Sequence, residues 1–594
     1  ERKRSALQER QRGEQEEASA HLAARSTMLA ALTHLSAALL LPLPNRAPRK
    51  AAAATVHIKI SGKWYDATGW ADKHPGGRYV LEWADGYDVT NAFHTIHLFS
   101  SKKAADMLAR MPEADLSTRT RRELVLPPIE RVPMEAQAPT GMDRFMAAGE
   151  KVVELLSPPA ATLPDRVPVR PASGLAWQPQ QASAEGAEGS GRAEGAVGAV
   201  SAVGAVGESA LKRELEDLLH RHFASPAEYK ATTEHWLRIG GALVLWATCL
   251  AGWVAGSLPA TLALPFAQWL LFSPTVHESS HSTLSTTPWV NKAAAFCGLP
   301  FIYNPYIWWP QHILSHHQYT NDDALDVDLH HLRPARLHPG CEVDEDYGGA
   351  NFIFKGYFST MGMSVLWPLR VLQRRSTGRW YANLVTDKPE AVRSSELLLS
   401  LLPVGFVLLW PWLRLLLGEI NAIEAFFDWY YPWAVTGAIW TVMTQVSHVQ
   451  EDCQRPPSGE EADDYFRWQI ESALDYSVGS ALVPKLTASL SLQSMHHVMP
   501  SVCGCHFHRL YPEYAEICAR HGVRLNTRKD VSAAWRSCIA RVFELSSPER
   551  TPAWALHEPS TAPQRGLASL TEHLPLIVYL ATPGVVMLAC TPLF

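Results

Sequence analysis

The chain has 594 residues, long enough for several domains, and a formal net charge of −6 at pH 7. That balance holds no basic excess to neutralise a phosphate backbone, so no nucleic-acid partner is expected. The hydrophobic fraction, 47%, is ordinary for a globular protein but unevenly spread, with charge-rich ends and middle and apolar runs from Trp236 onward.

Residues 1–54 read as a disordered leader with a possible targeting segment. Residues 1–27 are rich in Arg, Glu and Gln. From Met28 an Ala/Leu-rich stretch leads to Arg46, Arg49 and Lys50, and no acidic residue occurs between Glu17 and Asp66. That pattern fits an organellar transit peptide or signal segment better than a span.

Residues 55–110 form a small domain. Val56-His57-Ile58-Lys59-Ile60 and Lys63-Trp64-Tyr65-Asp66 are predicted strands joined at Ser61-Gly62. The string Asp66-Ala67-Thr68-Gly69-Trp70 leads to His74-Pro75-Gly76-Gly77, a turn in which proline and two glycines let backbone approach a flat ligand. A second histidine-bearing stretch follows, Phe93-His94-Thr95-Ile96-His97. The D-x-T-x-W-x-x-x-H-P-G-G string closely resembles cytochrome b5 domains. The resemblance implies a small α+β fold and a b-type haem between two histidines. His74 matches the first ligand; His97, after Phe93, fits the second, with His94 as its competitor. Two imidazoles would leave no open position on the iron, so such a haem passes electrons and does not bind oxygen.

Residues 111–207 read as a linker. Prolines recur (Pro127, Pro128, Pro158, Pro159, Pro164, Pro168, Pro171), and 182–207 is an Ala/Gly/Val/Glu tract that cannot bury a core. Amphipathic helices are predicted at 142–156 and 208–223. A flexible linker of roughly 95 residues spans about 50–60 Å r.m.s. and holds its two ends at about millimolar effective concentration.

Membrane-spanning helices are predicted at 236–256, with Arg238 its one charge, at 260–276, at 395–418 and at 423–446. The apolar stretch 293–309 is broken by Pro300 and Pro305 and reads as re-entrant or interfacial. Arg370, Arg374, Arg375 and Arg379 precede the third span, which puts that side in the cytosol or its equivalent. Residues 503–549 read as soluble helices. The apolar stretch 574–594 is a fifth span or a mistaken exon. Nine scattered cysteines, with Cys503 and Cys505 the one close pair, read as reduced thiols.

Three histidine clusters sit beside these spans: His277 and His281; His312, His316 and His317; Gln493, His496 and His497. Residues three and four apart share a helix face, so each cluster is expected to aim its side chains one way. One HxxxH arises by chance on surface helices. Seven histidines in three clusters beside apolar spans point to metal, since imidazole suits iron, zinc and copper and ionisable groups near lipid are costly. Two spans separate the haem-like domain from the first cluster, none the first from the second, and two the second from the third. All would then meet on one membrane face.

The layout HxxxH, HxxxHH, QxxHH behind a cytochrome b5-like domain resembles the front-end desaturases of polyunsaturated fatty acids and their sphingolipid relatives, from about residue 55 to 545. His317-Gln318-Tyr319-Thr320-Asn321, trailed by Asp326-Val327-Asp328, is also similar to that family's second box. The resemblance implies an all-α integral membrane desaturase domain (208–549) with about four transmembrane helices and a tail at 550–594. It implies two non-haem iron ions held by His277, His281, His312, His316, His317, His496 and His497, with His448 as a further ligand, Gln493 in the site and O2 as co-substrate. Electrons would come from an NADH-cytochrome b5 reductase or equivalent donor, and the substrate would be a lipid- or CoA-linked acyl chain entering from the membrane. The compartment implied is the endoplasmic reticulum with a cytosolic catalytic face, or else a plastid membrane.

The chain departs from the family pattern in places. Glu278 and Ser280 stand where Asp and Gly are usual, Val449 replaces a common Asn, and the third box reads Ser491-Leu492-Gln493-Ser494-Met495-His496-His497. The ligand positions survive; substrate and double-bond position stay open. A sphingoid-base desaturase, a b5-fused lipid hydroxylase and a non-catalytic membrane cytochrome are the alternatives.

Overall fold

The computed structural model describes residues 55–116, 130–131, 209–323, 325–330, 335–341, 348–369, 384–385, 394–453, 464–556 and 567–590. The leader, nearly all of the linker with its helix at 142–156, and the arginines at 370–379 lie outside them.

The small domain opens with the expected hairpin. His57–Ile60 pairs antiparallel with Lys63–Asp66, Ile60 opposite Lys63. Ser61 (φ 49°) and Gly62 (φ 79°) form the two-residue turn, whose positive φ values match the twist of the strands. Val56, Ile58, Ile60, Leu81, Trp83, Tyr87 and Ala92 build the core between the hairpin and the helices Arg78–Trp83 and Thr90–Ile96.

This domain is packed on the histidine-bearing part of the chain. Trp83 meets Tyr306 and Trp309 edge-on at 6.0 and 5.3 Å between ring centroids. Phe99 lies 4.4 Å from His220 and 5.2 Å from Tyr229. Gly77, at φ 94°, has no room for a side chain, because a Cβ there would come within 2.7 Å of Pro288 Cβ. At the centre, Asn91 Nδ2 donates to the Gln318 carbonyl (3.0 Å) and Gln318 Nε2 donates to the Asp88 carbonyl (3.1 Å). The sequence suggested a domain on a loose tether; the tertiary structure adds a specific seat, built on the residue next to His317.

The remainder is mostly helical. Thr233–Val254 and Leu258–Phe272 form one helical hairpin, and Leu402–Leu416 and Ala422–Gln445 a second. Asn421 and Glu424 make a reciprocal capping box that starts the last of these. Four spans are predicted, but among the described residues two helices, Thr233–Val254 and Ser395–Leu416, are long and apolar enough by themselves to cross a membrane. Leu258–Phe272 has 15 residues before its geometry changes, and Ala422–Gln445 carries Glu424 and Asp428 in its first two turns. The two long helices present lipid-like faces outward: Leu237, Val244, Leu409 and Leu416 are 72%, 67%, 67% and 83% exposed, a pattern a water-soluble surface avoids.

The 293–309 stretch runs inside the protein. Phe301, Ile302, Tyr303 and Trp308 are buried, and Trp308 packs against Phe272, Tyr303 and Trp440 beneath the second histidine cluster. The C-terminal helix Leu567–Cys590 belongs to the same body, with Tyr579 stacked on Trp535 at 4.8 Å and its carbonyl accepting from Tyr357 Oη at 2.9 Å.

Candidate metal centres

The first two clusters sit where a regular helix changes form. Leu258–Phe272 passes into a π-helix, Ser273–His277, that ends on the first cluster. Asn304 caps the helix Pro305–Trp309, which also widens into a π-helix, Pro310–His316. Such widened turns recur at functional sites. The third cluster lies on Gln493–Val498, whose first turn is anchored by Asp475, accepting from Ser494 N (2.9 Å) and Ser494 Oγ (2.6 Å).

His277 and His281 point into one group as expected, but the second π-helix corrects the one-face expectation for the second cluster. In i→i+5 geometry, the residue over His312 is His317. Their Nε2 atoms are 3.2 Å apart and their rings 4.5 Å, against 5.8 Å between the His312 and His316 rings. His316 swings to the far side. The third cluster divides too, His496 to one side and His497 to the other.

Two groups of buried imidazoles result. In the first, single ring nitrogens of His277, His281, His312 and His496 all lie within 4.8 Å of one another. His317 Nε2 adjoins this group, 3.1 Å from His496 Nε2. In the second, His316, His448 and His497 meet the same limit. Gln493 Nε2 lies 3.0 Å from His448 Nε2 and 3.1 Å from His497 Nε2, and a half-turn of the amide would aim its oxygen at the same point.

The partners of the far ring nitrogens set which atom faces inward. His316 Nδ1 points at Asp326 (3.1 Å to Oδ2) and at Asp328 (3.6 Å). His497 Nδ1 faces Gln469 Oε1 at 2.8 Å, and His448 Nδ1 the Ser472 carbonyl at 3.1 Å. With Nδ1 engaged, Nε2 is left to converge, as ligating histidines are held. Asp326, Gln469 and Ser472 carry no local motif that assigns this role; the Asp326-Val327-Asp328 triplet is the one visible hint.

The donor set fits metal ions. Burial pulls His277 down to about 3, and burial with neighbouring imidazoles holds His281, His312, His317, His448, His496 and His497 well below the usual value, so these rings are neutral ligands. Burial also works against charge on His316, but Asp326 and Asp328 outweigh it and raise that ring to about 9. Both ring nitrogens of His277 and Oε1 of Gln493 are buried without a hydrogen-bond partner. Lone pairs converging with no proton between them are what a cation satisfies.

In the small domain, His74 and His97 face each other with ring centroids 6.1 Å apart. That leaves room for a metal with bonds of about 2 Å to each ring. Phe93 O at 2.8 Å from His97 Nδ1 turns its Nε2 toward His74. A Cβ on Gly76 would lie 3.0 Å from His74 Cε1, so the glycine leaves the ring its place. His94 instead packs edge-on against Phe93.

A haem-type module seated on a helical body with two histidine groups defines a b5-fused, membrane-bound, histidine-box protein. The chain belongs to the fatty acid desaturase family: the Fatty acid desaturase profile matches residues 221–529, and the Cytochrome b5-like Heme/Steroid binding domain profile matches 50–116. The enzyme is thus an O2-dependent oxidoreductase. It is 25% identical to an acyl-lipid omega-13 desaturase of Chlamydomonas reinhardtii over 501 residues, covering 82% of this chain and 93% of the relative. It is 23% identical to an sn-1 linoleoyl-lipid 6-desaturase of Arthrospira platensis, covering 42% of this chain and 66% of that one. It is 24% identical to Delta(5) fatty acid desaturase A of Dictyostelium discoideum, covering 46% and 60%.

Proposed function

We propose that this enzyme inserts a double bond into an acyl chain carried on a membrane lipid, using electrons relayed by its own haem domain. The observation that carries the reading is the seat of that domain: Gln318, bonded to Asn91 and Asp88, directly follows His317 between the two imidazole groups. Iron bound at the two groups supplies an oxidant strong enough for an unactivated C–H bond, with O2 as co-substrate. Two hydrogens leave the substrate and O2 is reduced to water, so each turnover needs two further electrons. The chain's own part is to hold the ligands rigidly and to keep the site dry. His277, His281, His312 and His496, with His317, form one ligand set; His316, His448 and His497, with Gln493, form the other. His74 and His97 hold the haem.

An acyl-lipid substrate is supported by the names of the Chlamydomonas and Arthrospira relatives. Leu258–Phe272 and Ala422–Gln445 complete a four-span topology that brings haem and both groups to the cytosolic face of the endoplasmic reticulum, or the equivalent face of a plastid membrane, where an NADH-dependent reductase or similar donor is available. The test is expression in a host lacking polyunsaturated lipids, with lipid profiling and elemental analysis. New alkene in the lipid fraction and about two non-haem irons per chain are expected. An alcohol product would shift the reading to a hydroxylase, and a protein with haem but no other iron would overturn it.

A further inference from the structure

A third group of metal-ligating side chains lies outside both imidazole groups and shares no residue with them. His235, at the start of the Thr233–Val254 helix, meets Cys503 and Cys505 with one ligand atom from each within 4.8 Å of the others. His235 and Cys503 are buried and Cys505 half-buried. His235 Nε2 is 3.4 Å from the Pro274 carbonyl, and its Nδ1 is buried with no hydrogen-bond partner.

The surroundings are built to hold this arrangement. Cys503 N donates to the Tyr229 carbonyl (2.9 Å), which ties the segment after the third box to the entry of the first long helix. Gly504 N donates to both carboxylate oxygens of Glu278, at 3.2 and 3.3 Å. A side chain on Gly504 would strike Ser489 and come within 2.8 Å of Glu278 Oε1, so the chain between the cysteines passes where only glycine fits. His506, two residues on, places its Nε2 2.9 Å from the Lys230 carbonyl and donates its backbone N–H to the Cys503 carbonyl at 3.0 Å.

We propose that His235, Cys503 and Cys505 bind a structural zinc ion, with a water in the fourth position. Two thiolates and an imidazole are a soft, nitrogen–sulfur donor set that suits zinc in tetrahedral geometry and suits non-haem oxidase iron poorly. Binding releases the two thiol protons to solvent, and the thiolates balance the charge of the ion. The ion joins segments far apart in sequence and braces the turn that holds Glu278, the neighbour of His277. It is a staple under the first histidine box and takes no part in the oxidation.

The full-length protein, purified in detergent under reducing conditions, should contain about one zinc per chain in addition to its iron. A Cys503→Ser/Cys505→Ser variant should lose that zinc and keep the haem spectrum. Cobalt loaded into the wild-type protein should give an intense near-ultraviolet thiolate-to-metal band, absent from Cys503→Ser/Cys505→Ser. If the double variant fails to accumulate, the wild type still decides: a mercurial thiol reagent should release the zinc, detected with a chromogenic chelator. Wild-type protein without zinc, whose two thiols alkylate equally fast with and without added zinc, would overturn the proposal. So would a Cys503–Cys505 disulfide in the active enzyme. Neither outcome touches the iron content on which the desaturase reading rests.

Discussion

Asp326→Asn is the sharpest probe of how the second imidazole group is held. Asp326 is fully buried. Its Oδ1 accepts from Asp328 N (3.0 Å) and its Oδ2 from Asn321 N (2.9 Å), while both face His316 Nδ1 at 3.2 and 3.1 Å. Asparagine keeps the shape and replaces one oxygen with an NH2. Whichever way it sits, one buried backbone N–H then faces another donor, at a cost of about 1–3 kcal/mol. The charge-assisted bond to His316 falls to a neutral one, a loss of about 1 kcal/mol. Asp328 stays near His316 at 3.6 Å and limits that loss. We therefore expect a protein destabilised by about 2–4 kcal/mol. Outer partners of metal-bound histidines are typically worth 10–100-fold in affinity, about 1.4–2.8 kcal/mol. Asp328 places this case near tenfold. The assay is non-haem iron retained after dialysis against a chelator, with alkene yield in cells and the haem spectrum as a folding control. Wild-type iron retention and yield in Asp326→Asn would refute the role of Asp326 and the assignment of His316 Nε2 to a metal.

Three further outcomes are expected. Gln493→Ala should keep the haem spectrum and membrane level and lose most alkene product, by about 10–100-fold; full activity would remove Gln493 from the site. His74→Ala or His97→Ala should abolish the b-type difference spectrum and His94→Ala should leave it; loss only with His94→Ala would reverse the choice made from the 6.1 Å approach of the His74 and His97 rings. Gln318→Ala removes the side-chain bonds to Leu314 O and Asp88 O and the acceptor for Ala92 N, but not the backbone acceptor for Asn91. It should slow reoxidation of reduced haem by O2 and acyl substrate while leaving the haem spectrum and iron content intact; an unchanged rate would show that this seat does not govern electron delivery.

The seat also revises what the linker does. A tether alone supplies its partner at about millimolar concentration, where contact is transient. Trp83 against Trp309, Phe99 against Tyr229 and the Asn91–Gln318 bond add a docked state that the tether only has to make accessible. The linker's composition can then vary freely, provided its length reaches.

The haem motif, the three histidine boxes, Gln493 and the long helices are all legible in the amino-acid sequence, because each is local. A turn that needs Pro75-Gly76-Gly77, a hairpin that needs Ser61-Gly62 and a run of apolar residues long enough to span are decided within a few residues. The i, i+4 rule is local as well, and it misleads here because it assumes a regular α-helix. The π-helix at Pro310–His316 sends His316 and His317 to different groups. The division of the second and third boxes, the convergence of His448 on His497, the Asp326 brace on His316 and the meeting of His235 with Cys503 and Cys505 all depend on contacts between residues remote in sequence. No periodicity encodes such contacts. They exist only once the helices have packed, when burial makes an unpaired ring nitrogen costly and leaves a shared ion as the partner that satisfies several at once.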